Sequence, residues 1–466
     1  MNQKLINYLQ GREFCVSSTM EPYIRIWKTW YQGYVKAFHD YRVWNGKQNL
    51  EIRKKSLNLA KSVCVDVADL LFNEKCEITV DDPMINDYIV TVMDKNNMYV
   101  KLNEYQERKA AYGTVAYIPY WTSKGVKLNY VTAEKIVPLS WENGIVNELC
   151  VYSIFTYKNK DYFFTQLFYL NEDGFYVIEN LLLEETTTTC VEVDYSEIPG
   201  LKDIEPLIDT ASVIKPFIVD RLNIANNIDD ESPFGISVFA NAIDTIMACD
   251  NIFDSWDNEF ALGKKRIMVA PEAMNVETGL PVFDANDAVF YLLPESISPE
   301  GKPFVQEIDM KLRVKEHAEA LQNMLNLFSS QCGLGENYYR FDNGVLTTAT
   351  QVISDNSKAF RRLRKHEIIL EDVLVDLYRA IISVASRRGD LPFMSDDEIY
   401  DEEIIVKFDD SIIEDTETEV RRNMAEVSAG LLSPERYIMW RRGVPEDQVD
   451  EWLPRMGIGQ KEEGMQ

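Results

Sequence analysis

The strongest constraint on how this chain folds lies between Ser232 and Gln331. Two long stretches of helical period stand there on either side of an interval punctuated by Pro271, Pro281, Pro294, Pro299 and Pro303. Proline lacks a backbone donor and clashes with the preceding turn, so the interval holds only short extended pieces, "RIMVAP" and "DAVFYLLP". The first stretch, "GISVFANAIDTIMACDNIFDSWDNEFAL", runs from Gly235 to Leu262, with Pro233 ahead of it and Gly263-Lys264-Lys265-Arg266 behind. A proline before the start and cations at the negative end of the dipole fit its two termini. At 1.5 Å per residue it spans about 42 Å. The second stretch runs from about Ile308 to Gln331. Two long helices around a small extended module predict a stalk with a tip.

The flanking regions have different textures. From Pro22 to Trp44, the residues Tyr23, Trp27, Trp30, Tyr31, Tyr34, Phe38 and Tyr41 recur in steps of three and four, which predicts one helix with an aromatic stripe. That stripe packs on a core or serves as a subunit-contact face, where Trp and Tyr are enriched. A second helix is expected over Glu51 to Asn73. From Cys76 to about Pro199, short β-branched and aromatic runs alternate with hairpin turns at Asn143-Gly144, Lys158-Asn159-Lys160 and Glu172-Asp173-Gly174. A mostly antiparallel β-rich region set in a helical chain makes an α+β protein.

Past a polar, Gly-containing loop over Cys332 to Thr348, a helical tract runs to about Arg388, with a kink or recap expected at Ser354-Asp355-Asn356-Ser357. Leu363, Leu370, Leu377 and Val384 recur every seven residues along it as a packing seam. Asp390 to Glu419 then holds 13 Asp/Glu and one Lys around one expected strand, Ile404 to Phe408. Two short helices follow, about Thr416 to Ala429 and Ser433 to Arg442, the second announced by Ser433-Pro434.

Composition excludes several classes. With 48 Lys+Arg against 76 Asp+Glu the net charge is −28, which argues against a protein that grips nucleic acid by neutralising phosphates. The seven cysteines are scattered, never in a CxxC pair, and read as buried reduced thiols. The N-terminus has no secretory-signal pattern and no stretch reaches the roughly 18 apolar residues of a membrane span, so assembly from the cytosol without membrane contact is expected. Three separated histidines, no HExxH, no phosphate-binding glycine motif and no GxSxG leave enzymatic chemistry, metal and cofactor without support.

The order of elements carries a resemblance. "WKTWYQGYVKAFHDY" and "SLNLAKSVCVDVADLLFNEKCEI" are similar to the N-terminal wing helices of tailed-bacteriophage portal (head–tail connector) proteins, especially those of long-tailed phages of Gram-positive hosts. The stretch "SPFGISVFANAIDTIMACDNIFDSWDNEFALGKKRIMV" resembles their first stem helix running into the clip. Likewise "TTATQVISDNSKAFRRLRKHEIILEDVL" resembles the helix after the tunnel loop, and "SAGLLSPERYI" the C-terminal helices. The resemblance implies a wing over 1–234, stem helices over 235–262 and 308–331, and a clip over 263–307. It further implies a tunnel-loop region over 332–348, a long helix and strand completing the wing over 349–413, and a crown over 414–466. Implied too is a ring, a dodecamer, that double-stranded DNA crosses without sequence specificity. Its partners would be the terminase large subunit, the head–tail adaptor, and the major capsid and scaffold proteins. Rival readings are another virion component, capsid or tail, and a carbohydrate-active hydrolase.

Within that frame particular residues acquire expected roles. Asp250, Asp254 and Asp257 stand at i, i+4 and i+7 and share a helix face, with Asp244 off the stripe; repeated around a ring they would form an acidic collar that repels phosphates, unless the face is the solvated outside of the stem. Asn337, Tyr338, Tyr339 and Arg340 offer hydrogen bonding, stacking and charge in the tunnel loop, or form a plain surface loop. Lys264, Lys265 and Arg266 are clip contacts to the motor or to DNA, or ordinary helix-end cations. Lys358, Arg361, Arg362, Arg364 and Lys365 are the densest basic cluster, able to pair with the acidic stretch Asp390–Glu419 of a neighbouring subunit, in cis, or with DNA; protein–protein pairing in a subunit contact is the favoured reading.

Overall fold

The structure is a computed structural model that describes residues 3–44, 48–72, 76–187, 189–194, 198, 200–202, 204–262, 266–269, 290–292, 305–308, 311–340, 349–408, 416–429 and 431–442. It opens with helices α1 (Gln3–Gly11), α2 (Glu21–Tyr31) and the one-turn α3 (Lys36–His39), followed by strands β1 (Asp40–Trp44) and β2 (Asn49–Arg53) and helix α4 (Leu59–Leu71). The single helix expected over 22–44 is therefore three elements. Gln32-Gly33 breaks it, and "DYRVW" with "NLEIR" alternates at period two and closes as an antiparallel ribbon. The helix expected from Glu51 starts eight residues later for the same reason. Trp27 and Trp30 are buried, so the aromatic stripe of α2 faces the core.

Strand β3 (Glu77–Val80) leads to helices α5 (Pro83–Lys95) and α6 (Met98–Tyr112), which the expected β-rich texture had hidden. Their start was legible: Asp82 accepts from the Met84 and Ile85 N–H groups and Pro83 takes the first helical position. Strands β4 (Thr114–Thr122), β5 (Gly125–Thr132), β6 (Ile136–Glu142), β7 (Ile145–Tyr157), β8 (Lys160–Leu170), β9 (Tyr176–Glu185), β10 (Cys190–Glu192), β11 (Leu207–Asp209) and β12 (Ile218–Arg221) complete the region. All pair antiparallel, as a sheet ordered β10-β9-β8-β7-β6 with β11 also on β9, and a sheet ordered β12-β4-β5. The β6–β7 turn is Asn143-Gly144 with φ of 51° and 77°, the positive pair a two-residue hairpin requires.

Helix α7 (Ile243–Leu262) follows a short 3-10 turn, Ala240–Ala242, rather than starting at Gly235. Residues 235–238 are tied to the end of α6 and the start of β4. Gly235 N–H donates to Thr114 Oγ1 at 2.9 Å and Val238 N–H to the Ala110 carbonyl at 2.9 Å. Beyond α7 stand β13 (Arg266–Val269), β14 (Phe290–Leu292) and β15 (Val305–Ile308), a three-stranded sheet with β13 central, parallel to β14 and antiparallel to β15. Helix α8 (Val314–Cys332) returns beside α7. Thr245 Oγ1 donates to Gln331 Oε1 at 2.7 Å at one end, and Arg313 N–H to Glu259 Oε1 at 3.1 Å at the other, so the two helices are antiparallel.

Helix α9 (Ala349–Arg388) is helical throughout, including residues 354–357 where a kink or recap was expected. Its 40 residues extend about 60 Å. Leu363, Leu370 and Leu377 are buried along the expected seam, with Val384 half-buried. Helix α10 (Asp396–Asp401) carries a capping box between Ser395 and Glu398, and β16 (Ile404–Lys407) pairs antiparallel with β3, tying the far end of the chain to its first third. Helices α11 (Thr416–Ser428) and α12 (Pro434–Arg442) end the described chain, with Ser433 accepting from the Arg436 N–H at the start of α12. One core spans α2, α4 to α9 and the sheet of β4, while α1 covers a separate core on the larger sheet.

Candidate functional site

Helix α7 and the loop after α8 hold half of the residues singled out in the sequence. On α7, Asp250, Asp254 and Asp257 do share a face, but residues 39–57 of the same chain cover it. Asp250 is fully buried: its Oδ1 accepts the Leu57 N–H at 2.8 Å and its Oδ2 stands 3.4 Å from His39 Nε2. Burial raises the Asp250 pKa, opposed by hydrogen bonds from Leu57, Ser56 and His39. Asp254 is 9 % exposed and accepts the Lys55 N–H at 3.0 Å. Asp257 is bridged by Lys55 Nζ at 2.7 Å. The acidic-collar expectation is thus corrected for Asp250 and Asp254, which are spent on backbone donors of an extended segment with no sheet partner. Asp244 is exposed in the first turn of α7, where a carboxylate favours the helix dipole.

The loop after α8 packs back on α4. Asn337 takes a left-handed φ of 65°, and the Tyr339 hydroxyl donates to Asp66 while its ring lies 5.8 Å from Phe328 and 5.1 Å from Tyr338. Burial raises the pKa values of both Tyr339 and Asp66. Tyr338 and Arg340 are exposed and, with Tyr339, Leu57, Leu59 and Leu325, line a cavity of about 270 Å³. The remainder of the expected tunnel loop, 341–348, lies outside the described residues.

The basic residues divide. Lys264 and Lys265 lie outside the described residues, and Arg266 opens β13 opposite Ile308. On α9, Arg361, Arg362, Arg364 and Lys365 are exposed; Lys358 belongs to the same helix, with its side chain outside the described residues. Arg362 donates to the Ser330 carbonyl at 3.4 Å and Arg364 lies 3.6 Å from Glu367. Arg362 thereby meets the negative end of α8 in its own chain. A cavity of about 310 Å³ opens there, lined by Ser330, Gly333, Gly335, Glu336, Arg361 and Arg362.

Sequence reasoning missed a charged centre in the core. Lys109 of α6 donates to Asp220 Oδ1 of β12 at 2.9 Å with both side chains sealed from water. Gln106 and Tyr117 donate to Asp220 Oδ2 at 2.9 and 3.1 Å. Burial lowers the Lys109 pKa, and Asp220 offsets part of that shift. Beside this centre, burial and the charges of Lys109, Lys365 and Arg362 push His366 down to about 4. The Gln106-Glu107-Arg108-Lys109-Ala110-Ala111 run of α6 gave no hint of it, because the partner of Lys109 is 111 residues away.

Among the described residues no cluster of His, Cys, Asp and Glu could hold a metal, and no helix is long and apolar enough to cross a membrane. All seven cysteines are free thiols, six buried and Cys15 exposed; burial pushes Cys76 and Cys249 up to about 12, which suppresses thiolate chemistry.

In comparisons with known proteins, the family described as phage portal protein, SPP1 Gp6-like, matches residues 19–455. No protein with a curated description matches. Among solved structures, a chain of "Neck of empty GTA particle computed with C6 symmetry" is 11 % identical with a TM-score of 0.41, over 83 % of this chain and 88 % of that one. With nearly the whole sequence matched, from ahead of α2 to beyond α12, the chain belongs to the SPP1 Gp6-like family of phage portal proteins.

Proposed function

We propose that this portal protein works as a dodecameric ring at one capsid vertex, through which the terminase drives double-stranded DNA and to which the head–tail adaptor later binds. The coarser part follows from the family: the chain is a structural component of a phage head–tail connector and resides in the virion. Portal proteins form homo-oligomeric rings with capsid and tail partners. The observation carrying the finer reading is the antiparallel pair α7–α8, clamped at both ends, with the small sheet β14-β13-β15 between its helices in sequence. A two-helix stem with a compact clip has this form.

In this reading 1–234 with 349–413 forms the wing, 235–262 and 308–331 the stem, 263–307 the clip, 332–348 the tunnel-loop region and 414–466 the crown. Lys264, Lys265 and Arg266 face the terminase, the major capsid and scaffold proteins meet the wing, and Asn337 to Arg340 stand at the tunnel loop. Asp244 and Asp257 are the stem carboxylates left for the channel wall. A net charge of −28 suits a conduit that surrounds DNA without holding it, because each cation–phosphate contact would add affinity and slow sliding. The host would be Gram-positive, and assembly would take place in its cytoplasm.

Imaging of assembled particles tests this: twelve copies at a single vertex are expected, and particles whose rings lack this chain would sink it. Reversing Lys264 and Lys265 to Glu should leave the ring intact and weaken terminase capture; unchanged capture would remove the clip assignment.

A further inference from the structure

The geometry points to the tip of the β1–β2 ribbon as a docking element that engages a second copy of this chain, an inference that rests on the ring reading above. The ribbon has two unlike faces. Its register sets Asp40 against Arg53, Arg42 against Glu51 and Trp44 against Asn49 on one face, and Tyr41 against Ile52 and Val43 against Leu50 on the other. An alternation of charged and apolar pairs is the pattern of a strand pair covered on one side.

Only the base of that apolar face is covered. The Tyr41 hydroxyl sits beside Asp254 and Asn258 of α7, and Lys54 donates to Asn251 at 2.7 Å. Towards the tip, Val43 is 41 % exposed and Leu50 38 % on that face, and Trp44 is 62 % exposed on the other. Among the described strands β1 and β2 pair with each other alone, so each leaves an edge of backbone donors and acceptors unpaired. A two-stranded ribbon is marginal in water by itself, and an apolar edge is a template for another chain.

Charge selects the occupant. Residues 36–55 carry six Lys/Arg against two Asp/Glu in a chain whose net charge is −28. Copies with that charge repel one another, and a basic arm is the part of each that a neighbour's acidic surface attracts. DNA is the poorer fit, because the described side chains of the uncovered end, Val43, Trp44 and Leu50, are apolar and offer nothing to a phosphate. Near the base, Lys55 already bridges Asp257, and Arg53 lies 4.5 Å over the Tyr34 ring. The subunit contact expected of the aromatic stripe thus moves from α2, whose Trp27 and Trp30 are buried, to the ribbon that follows it.

Amide hydrogen exchange on the full chain tests this by comparing rings, recovered from particles where the free chain stays monomeric, with the monomer. Exchange over residues 40–53 should slow at least tenfold in the ring; equal rates would overturn the inference. In parallel, the triple variant Val43→Thr, Trp44→Ser, Leu50→Thr keeps strand-forming residues at the apolar pair. It should lower ring yield at least tenfold at fixed concentration while the monomer Tm holds. A variant that assembles normally refutes the inference, and one that assembles normally but loses DNA retention assigns the ribbon to DNA. Should the variant unfold, the exchange comparison on the unmodified chain decides. Particles with no ring of this chain would sink the portal reading too, whereas rings with an unprotected ribbon would sink this inference alone.

Discussion

Lys109 Nζ and Asp220 Oδ1 meet at 2.9 Å in a place no water reaches, joining α6 to β12 across 111 residues of sequence. Desolvating both charges is expensive, and the pair is sustained because Gln106 and Tyr117 satisfy the second carboxylate oxygen. Removing one partner strands the other. Lys109→Met should therefore cost about 3–5 kcal/mol in urea unfolding. The double variant Lys109→Met, Asp220→Leu should recover much of that loss, and a double mutant as unstable as the single would show that packing, not charge, dominates.

Gly235 crosses Gly113 with no room for a side chain. A methyl group on Gly235 would stand 2.5 Å from the Gly113 carbonyl oxygen and 3.0 Å from the Arg221 Cβ. Gly235→Ala should destabilise by about 2 kcal/mol, and Gly113→Ala by more, because Gly113 also holds a φ of 83°. Thermal unfolding measures both. A neutral Gly235→Ala would mean that the segment leading into α7 shifts at little cost.

The carboxylates of α7 should separate by role. Asp250→Ala removes the acceptor of the Leu57 N–H from a buried site and should cost about 2–3 kcal/mol. Asp257→Ala breaks only a half-exposed bridge to Lys55 and should stay within about 0.5 kcal/mol. Equal losses at the two positions would contradict the burial that distinguishes them.

Acid should act through His366. Its folded pKa of about 4 lies below the ordinary 6.5, so the unfolded chain binds the proton first. The stabilisation is complete above pH 6.5 and is lost as pH falls from 6.5 towards 4. At this half-buried site the loss is about 2 kcal/mol after solvent screening. His366→Gln should flatten that part of the stability–pH curve. An unchanged slope would place the acid response elsewhere.

Much of the fold was legible where one residue or one period decides it. Pro83 and Pro434 stand at helix starts, whereas Pro233 lies ten residues ahead of α7; Asn143-Gly144 makes its hairpin turn, and the seven-residue leucine spacing of α9 is buried as expected. The misreadings share a cause. Tyr34, Phe38 and Tyr41 continue the helical steps of Trp27 and Trp30, yet the chain has turned at Gln32-Gly33 and runs on as a ribbon. In α5, "INDYIVTVMDK" is rich in β-branched residues and resembles a strand, but the Asp82-Pro83 start and burial of Ile85, Ile89, Val92 and Met93 on one face make it a helix.

Spacing alone placed Asp250, Asp254 and Asp257 on one face of α7, since 3.6 residues per turn leaves no alternative. The sequence also lacks metal, nucleotide and nucleophile motifs, and its periodicity gave the order of long helix, short strands and long helix. What meets that carboxylate face is another matter. Lys55 and Leu57, nearly two hundred positions earlier, bring their N–H groups to it, and burial then turns an expected repulsive surface into a structural anchor. The pairing of β3 with β16 and of Lys109 with Asp220 arises in the same way. Local periodicity orients side chains, but only the tertiary fold supplies the distant partner that decides whether a charge is hydrated, paired or spent.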